Sequence, residues 1–267
     1  MRRGATGCAT LGSVVDKPPI FSGVGVALIT LFSSAGDLDA GATAAHAARL
    51  VEEGVRAIVV AGTTGEAGTL DPDERSRLLE EVGTATEGRV PLIAGTGAPS
   101  ARQAVELSQR ADADGADAVL ALSPPGIADP KHYYEQIEAS IDIPLLAYHY
   151  PQVSPPGLPV EALRDLPVDG LKDSSGDAER LIREMDEFPA NLYTGQHSLL
   201  LLAGGIGCSG AILALANLDV EGCTRAWQGD PEAQRRVVSN HGDVRSIAAL
   251  KRKISALRGT NPATRLG

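Results

Sequence analysis

The 267-residue chain carries 24 basic and 34 acidic side chains, a formal net charge of −10, with 43% hydrophobic and 22% charged residues. That length suits one large domain or two small ones, and the acidic balance leaves no basic stripe to neutralise a phosphate backbone, so nucleic-acid binding is disfavoured and a small ligand favoured. The three cysteines, Cys8, Cys208 and Cys223, form no CxxC and suggest neither a disulfide framework nor a thiolate metal site, which fits a reducing cytoplasm.

Residues 1–22 begin with Arg2-Arg3 but lack a continuous apolar core, so they fail as a secretory signal and read as a flexible extension. The longest apolar runs, 24–31 and 199–203, fall far short of the roughly 20 residues that span a bilayer. From Val24 onward, aliphatic runs alternate with segments of helical apolar spacing. Strands are predicted at 25–30, 57–61, 90–94, 116–122, 144–148, 168–172, 192–194 and 210–213. Helix starts are marked chemically between them. Asp71-Pro72-Asp73-Glu74 offers an N-cap, a first-turn proline and an acid at the third position, Ser100-Ala101-Arg102-Gln103 is a capping box, and Asp129-Pro130 repeats the first device. Gly54, Gly88 and Gly115 stand where helices should stop. Alternating strands and helices leave a doubly wound sheet or a closed barrel, and eight units favour the (β/α)8 barrel, an α/β fold. The barrel is expected over 23–215. Residues 216–267, with Arg225, Trp227, Val237, Val238, Ile247, Leu250, Ile254 and Leu257 on plausible faces, are expected as helices packed outside it.

Three stretches could carry chemistry. Gly62-Thr63-Thr64-Gly65-Glu66 follows the second strand and can present two hydroxyls and close backbone N–H groups to a carboxylate; it is not a Walker A loop. The fifth strand ends in Tyr148-His149-Tyr150-Pro151. The sixth ends at Lys172, inside Gly170-Leu171-Lys172-Asp173-Ser174-Ser175-Gly176-Asp177, where Ser174, Ser175 and Asp177 are N-cap candidates for an amphipathic run through Leu181, Ile182 and Met185. A lone lysine there is ordinarily a solvated charge. In a parallel barrel, however, every strand delivers its last residues to one rim, so Thr64, Tyr148 and Lys172 converge. Desolvation on a barrel strand lowers a lysine pKa and supplies neutral amine for attack on a ketone, while a nearby phenol can shuttle protons.

Other motifs weigh less. Gly205-Ile206-Gly207-Cys208-Ser209-Gly210 matches GxGxxG, with Asp230 twenty residues on, but a helix precedes it and a strand follows, the reverse of a dinucleotide fold. The histidines at 46, 132, 149, 197 and 241 show no HxxxH or HxH pair, so no zinc site is expected. His149, between two inward tyrosines, should point away from the barrel interior and serve a structural role.

With the three motifs in this order, and Ala94-Gly95-Thr96-Gly97 after the third strand, the chain resembles, from about Gly23 to the tail, the dihydrodipicolinate synthase and N-acetylneuraminate lyase family of class I aldolases. The resemblance implies a (β/α)8 barrel with extra C-terminal helices, a homo-oligomer (dimer or tetramer), and a lysine that forms a Schiff base with pyruvate, with no cofactor and no metal. By position, Lys172 is the Schiff-base lysine and Tyr148 the proton shuttle. Thr63 and Thr64 hold the pyruvate carboxylate, Thr64 also relaying protons, and Gly195 and Ile212 line the pocket. Two departures point away from lysine biosynthesis. The family's carboxylate-binding arginine is replaced by Val153, and its tyrosine pair after the fourth strand by Gly126-Ile127. The Tyr-x-Tyr-Pro form and the Lys-Asp pair look more like members that cleave 2-keto-3-deoxy sugar acids, which makes pyruvate and an aldehyde the expected partners, with neither nucleic acid nor membrane. A keto-deoxy sugar acid dehydratase, a 4-hydroxy-2-oxoglutarate aldolase, a dihydrodipicolinate synthase-like enzyme and a catalytically silent keto-acid-binding barrel stay open.

Overall fold

Every predicted strand forms, and in the computed structural model, which describes residues 18–242 and 246–266, each pairs in parallel with its sequence neighbours until the eighth meets the first. The elements run β1 (Gly23–Ala27), α1 (Ala40–Glu52), β2 (Ile58–Val60), α2 (Pro72–Thr86), β3 (Leu92–Gly95), α3 (Ala101–Ala113), β4 (Ala118–Leu122) and α4 (Lys131–Glu138). They continue with β5 (Leu145–His149), β6 (Gly170–Asp173), α5 (Ala178–Glu187), β7 (Asn191–Thr194), α6 (Leu200–Ile206) and β8 (Gly210–Leu213). Three further helices, α7 (Val220–Trp227), α8 (Pro231–His241) and α9 (Ile247–Arg258), complete the order. The result is a closed (β/α)8 barrel with additional C-terminal helices. No helix among the described residues is long and apolar enough to cross a membrane.

Two apolar layers hold it together. Side chains on the outer strand faces and the inner helix faces form the larger core, including Val26, Ile58, Val119, Leu145, Leu171 and Leu213. The alternate residues of the same strands, among them Ala57, Val59, Ile93, Leu120, Leu146, Tyr193 and Ile212, fill the barrel interior. Phe21 stacks on Tyr193 at a centroid distance of 4.8 Å, and the Ile20 N–H donates to the Tyr193 hydroxyl at 3.1 Å, so the N-terminal end of the barrel is plugged. Ile20 and Phe21, near the end of the segment read as a flexible extension, thus pack against the barrel floor; residues 1–17 of that segment lie outside the described residues.

Several local expectations shift. The first strand, expected at 25–30, ends at Ala27, because the next donors leave the ladder: the Ile29 N–H goes to Asn217 Oδ1 at 3.2 Å and the Leu31 N–H to Thr43 Oγ1 at 2.9 Å. The Asp71 capping box forms as written, with the Glu74 N–H donating to Asp71 Oδ1 at 2.8 Å and the Asp71 N–H to Glu74 Oε2 at 3.2 Å. Ser100 likewise caps α3 through the Gln103 N–H. Asp129-Pro130 does not repeat the device, since Pro130 itself is the cap and Asp129 accepts only from the Lys131 N–H at 3.1 Å. Between β5 and β6 the crossover is a short 3-10 turn, Val160–Asp165, because prolines at 155, 156 and 159 remove the donors a helix would need. On α5 the buried stripe is Leu181 with Glu184, while Ile182 is exposed. In the tail Val237, Leu250 and Ile254 are buried and Val238 and Leu257 exposed. The GxGxxG stretch runs from the end of α6 into β8, helix before strand as its flanks suggested.

Candidate active site

Strand register brings the site together. Tyr148 lies beside Lys172 across β5 and β6, and Lys172 beside Tyr193 across β6 and β7. Inward alternation then places Gly170 directly beneath Lys172, and a Cβ at Gly170 would come within 2.6 Å of Leu146, so the floor under the lysine has no room for a side chain. At the C-terminal rim a cavity of about 390 Å³ is lined by Thr63, Thr64, Tyr148, Lys172, Gly195 and Ile212, so all six predicted site residues share one pocket.

Lys172 is 5% exposed, and among the described residues it has no ion-pair partner. Its Nζ lies 4.2 Å from the centroid of the Tyr148 ring. Burial without a compensating carboxylate pushes its pKa down to about 7, which leaves a large neutral fraction at physiological pH. Gly195 is required by this packing, since a Cβ there would meet Ser174 Oγ at 1.8 Å and Lys172 Cε at 3.1 Å.

The side chains of Ser174 and Thr63 lie close enough to the Tyr148 hydroxyl to pull its pKa down. Burial raises the phenol pKa, outweighing the pull of those two hydroxyls, so Tyr148 is a protonated acid at neutral pH. Of the two threonines, Thr63 is the one whose side chain acts on the phenol. Thr64 stays on the cavity wall. The loop is pinned to the first strand's extension by the Thr30 hydroxyl, which donates to Gly65 O at 2.7 Å. Among the described residues the N–H groups of Thr64 and Gly65 carry no backbone hydrogen bond, which leaves donors for an anion.

Sequence reasoning did not single out several contributors to the pocket. Of the three N-cap candidates Asp177 is the cap, and Ser174 faces the cavity two residues beyond Lys172. The period of two that turns Lys172 inward was the signal for it. Gln196, whose Nε2 donates to Ser174 O at 2.9 Å, and His197 line the pocket after β7, and Tyr150 stacks on Tyr148 at 5.9 Å. Ser246, Ile247 and Leu250 close the pocket from α9, and nothing in their local sequence announces it.

His149 sits outside the pocket as expected. Its Nδ1 accepts the Leu158 N–H at 2.8 Å, and burial pushes its pKa down to about 3, so it stays a neutral acceptor. Among the described residues no group of three His, Cys, Asp or Glu side chains could hold a metal ion.

A closed parallel barrel with a desolvated, unpaired lysine at its C-terminal mouth defines a lyase of the kind that works through a lysine Schiff base. The chain belongs to the Dihydrodipicolinate synthetase family, whose profile matches residues 20–230. It is 37% identical over 244 residues to an uncharacterized DapA-like lyase of Halobacterium salinarum, covering 86% of this chain and 79% of the relative. It is 33% identical over 232 residues to the 4-hydroxy-tetrahydrodipicolinate synthase of Pseudomonas aeruginosa, covering 82% and 80%. It is 32% identical over 256 residues to a probable 2-dehydro-3-deoxy-D-pentonate aldolase of Escherichia coli, covering 89% and 80%. The crystal structure of the chloride-inhibited dihydrodipicolinate synthase from Acinetobacter baumannii complexed with pyruvate superposes with a TM-score of 0.81 at 26% identity, covering 93% and 94%.

Proposed function

We propose that the protein is a pyruvate-dependent class I aldolase that cleaves or forms a 2-keto-3-deoxy sugar acid of the 2-keto-3-deoxygluconate type, with Lys172 as the Schiff-base lysine. The observation that carries the reading is Lys172 itself, buried over the Tyr148 ring without an ion-pair partner among the described residues and held near neutrality. In the cleavage direction the neutral Lys172 amine attacks C2 of the keto acid. Tyr148, protonated by virtue of its raised pKa, gives its proton to the departing carbinolamine hydroxyl, and water leaves. The resulting phenolate takes the proton of the C4 hydroxyl, the C3–C4 bond breaks, an aldehyde departs, and the electron pair is held as an enamine on Lys172. Protonation of C3 and hydrolysis return pyruvate and the free amine. Thr63 orients the phenol, and Thr64, with the free loop amides, holds the carboxylate.

The sugar-acid half rests on Val153. A neutral side chain stands on the cavity wall at the position where the family's synthases carry an arginine for a second carboxylate. The name of the Escherichia coli relative makes the five-carbon 2-keto-3-deoxy acids the first alternative in size. The two buried free cysteines, Cys208 and Cys223, support a reducing, cytoplasmic setting, and the family supports a homo-oligomer.

The test is to incubate the protein with pyruvate and borohydride and weigh it, then to assay pyruvate release from six- and five-carbon 2-keto-3-deoxy acids. A single adduct lost in Lys172→Ala, together with pyruvate release, is the expected result. An unmodified mass, or an adduct that survives Lys172→Ala, overturns the assignment. Dehydration without pyruvate release moves the protein to the dehydratase reading.

A further inference from the structure

The loop proposed to hold the carboxylate ends in Glu66, a residue the reaction above does not use. Glu66 is 1% exposed and adopts the left-handed conformation at φ 57°, which an L side chain takes at a steric cost unless its surroundings enforce it. Its N–H donates to Thr63 O at 3.1 Å, so the turn it closes contains both threonines. The carboxylate points away from the pocket into contacts made almost entirely by the last described segment. Lys251 Nζ donates to Glu66 Oε1, and the backbone N–H groups of Arg265 and Leu266 donate to Oε2 at 2.8 and 3.0 Å.

That segment is itself tied down. Lys251 also donates to Ala263 O at 2.9 Å. The Arg265 guanidinium grips both oxygens of Glu74 at 2.6 and 2.7 Å, and reaches Gly36 O at 2.7 Å and Thr69 O at 2.9 Å. Both cations lie over the buried Phe32 ring, each 4.4 Å from its centroid, and Ala263 packs on the same small apolar cluster. One turn of α9 therefore serves two walls. Leu250 lines the cavity mouth while Lys251 reaches beneath the loop on its far side.

We propose that residues 251–266 act as a strap that holds the Gly62–Glu66 turn in its carboxylate-binding geometry, with Glu66 as the positioning residue and Arg265 as the buckle. A carboxylate accepting one ammonium and two backbone donors fixes three directions at once, which a loop of five residues cannot supply from its own hydrogen bonds. The strap touches neither the lysine nor the keto acid, and its effect reaches substrate only through Thr63 and Thr64. The inference rests on the aldolase reading for what the turn binds, and on the contacts alone for what holds the turn.

The experiment compares Arg265→Ala with Arg258→Ala. Arg258 ties the same helix to Glu53 at 2.9 Å and touches no part of the turn, so it reports the cost of loosening α9 alone. The pyruvate concentration for half-maximal borohydride trapping, the trapping rate at saturation, the melting temperature and the hydrogen exchange of residues 62–66 are measured for each. Arg265→Ala should raise the half-saturating pyruvate about tenfold, with the saturated rate changed less than about twofold, and speed exchange across the turn. Arg265→Lys should recover part of the affinity, and Arg258→Ala should lower only the melting temperature. An Arg265→Ala protein that melts earlier but traps pyruvate at the wild-type concentration, with unchanged exchange in the turn, overturns the strap. If wild-type protein traps no pyruvate, the aldolase reading falls, and exchange in the turn alone decides the strap: faster in Arg265→Ala supports it, unchanged refutes it.

Discussion

Two lysines of this chain are buried over aromatic rings, and they meet opposite fates. Lys172 lies 4.2 Å from the Tyr148 centroid and Lys251 4.4 Å from that of Phe32. Burial pulls both amines down. For Lys251 the Glu66 carboxylate pulls back, and the ammonium persists as the centre of an ion-paired knot. Lys172 has no such partner among the described residues, and its amine falls to about 7. The difference teaches that depth alone does not make a lysine reactive. What does is depth with the counter-charge withheld, an arrangement that weakens folding and that only a use for the free amine would explain.

The sharpest way to break this comparison is to exchange the amine for a thioether. Lys172→Met should abolish the pyruvate adduct outright, by mass, while Lys251→Met should still form it. Tyr148→Phe comes next. Turnover of a 2-keto-3-deoxy acid should fall about 10²–10⁴-fold, with adduct formation far less affected, if the phenol moves protons for the amine; equal loss of both would leave Tyr148 a packing residue.

Stability separates the two lysines by sign. Lys251→Met strands the buried Glu66 charge and should cost about 3–5 kcal/mol in urea melts. Lys172→Met removes an uncompensated amine and should gain roughly 2–4 kcal/mol at pH 7. Because the folded value of Lys172 lies below the unfolded one, its penalty is absent above the normal lysine range, grows as pH falls toward about 7, and is constant below. The gain from Lys172→Met should therefore shrink between pH 7 and 10. In wild-type protein the trapping rate should climb with pH up to about 7 and then level off. A climb continuing toward pH 10 would mean that Lys172 is an ordinary lysine. The smallest effects divide the threonines: Thr63→Val should lower turnover about tenfold through Tyr148, and Thr64→Val should mainly raise the KM for the keto acid.

The barrel was legible because its signals are local. Strand and helix spacing alternates around the barrel, capping residues and glycine stops mark several of its helices, and errors arose where a distant partner intervened. Asn217 and Thr43 took the donors that would have prolonged β1, and the prolines at 155, 156 and 159 replaced a helix by a 3-10 turn. The site divides the same way. Lys172, Tyr148, Thr63 and Thr64 stand at strand ends, where topology dictates convergence. The left-handed conformation of Glu66, which closes the threonine turn, is one that no propensity predicts. Ser246, Ile247 and Leu250 reach the pocket only through the path of the chain after the barrel has closed, and Glu184, buried against Arg180 at 2.7 Å, is polar where helical periodicity demands a hydrophobe.

The Phe21–Tyr193 stack has a consequence for traffic. With its floor sealed, the barrel is a cul-de-sac, and everything that reacts at Lys172 must use one doorway. A molecule anchored on that amine has its keto-acid end at the blind side and its other end toward the door. On the proposed aldolase reading, fragments leave in reverse order of depth: aldehyde first, pyruvate after it, and in synthesis the queue runs the other way. Pyruvate should accordingly inhibit cleavage by competing with the intact acid, whereas the aldehyde, alone in an empty barrel, has no amine-bound partner to meet.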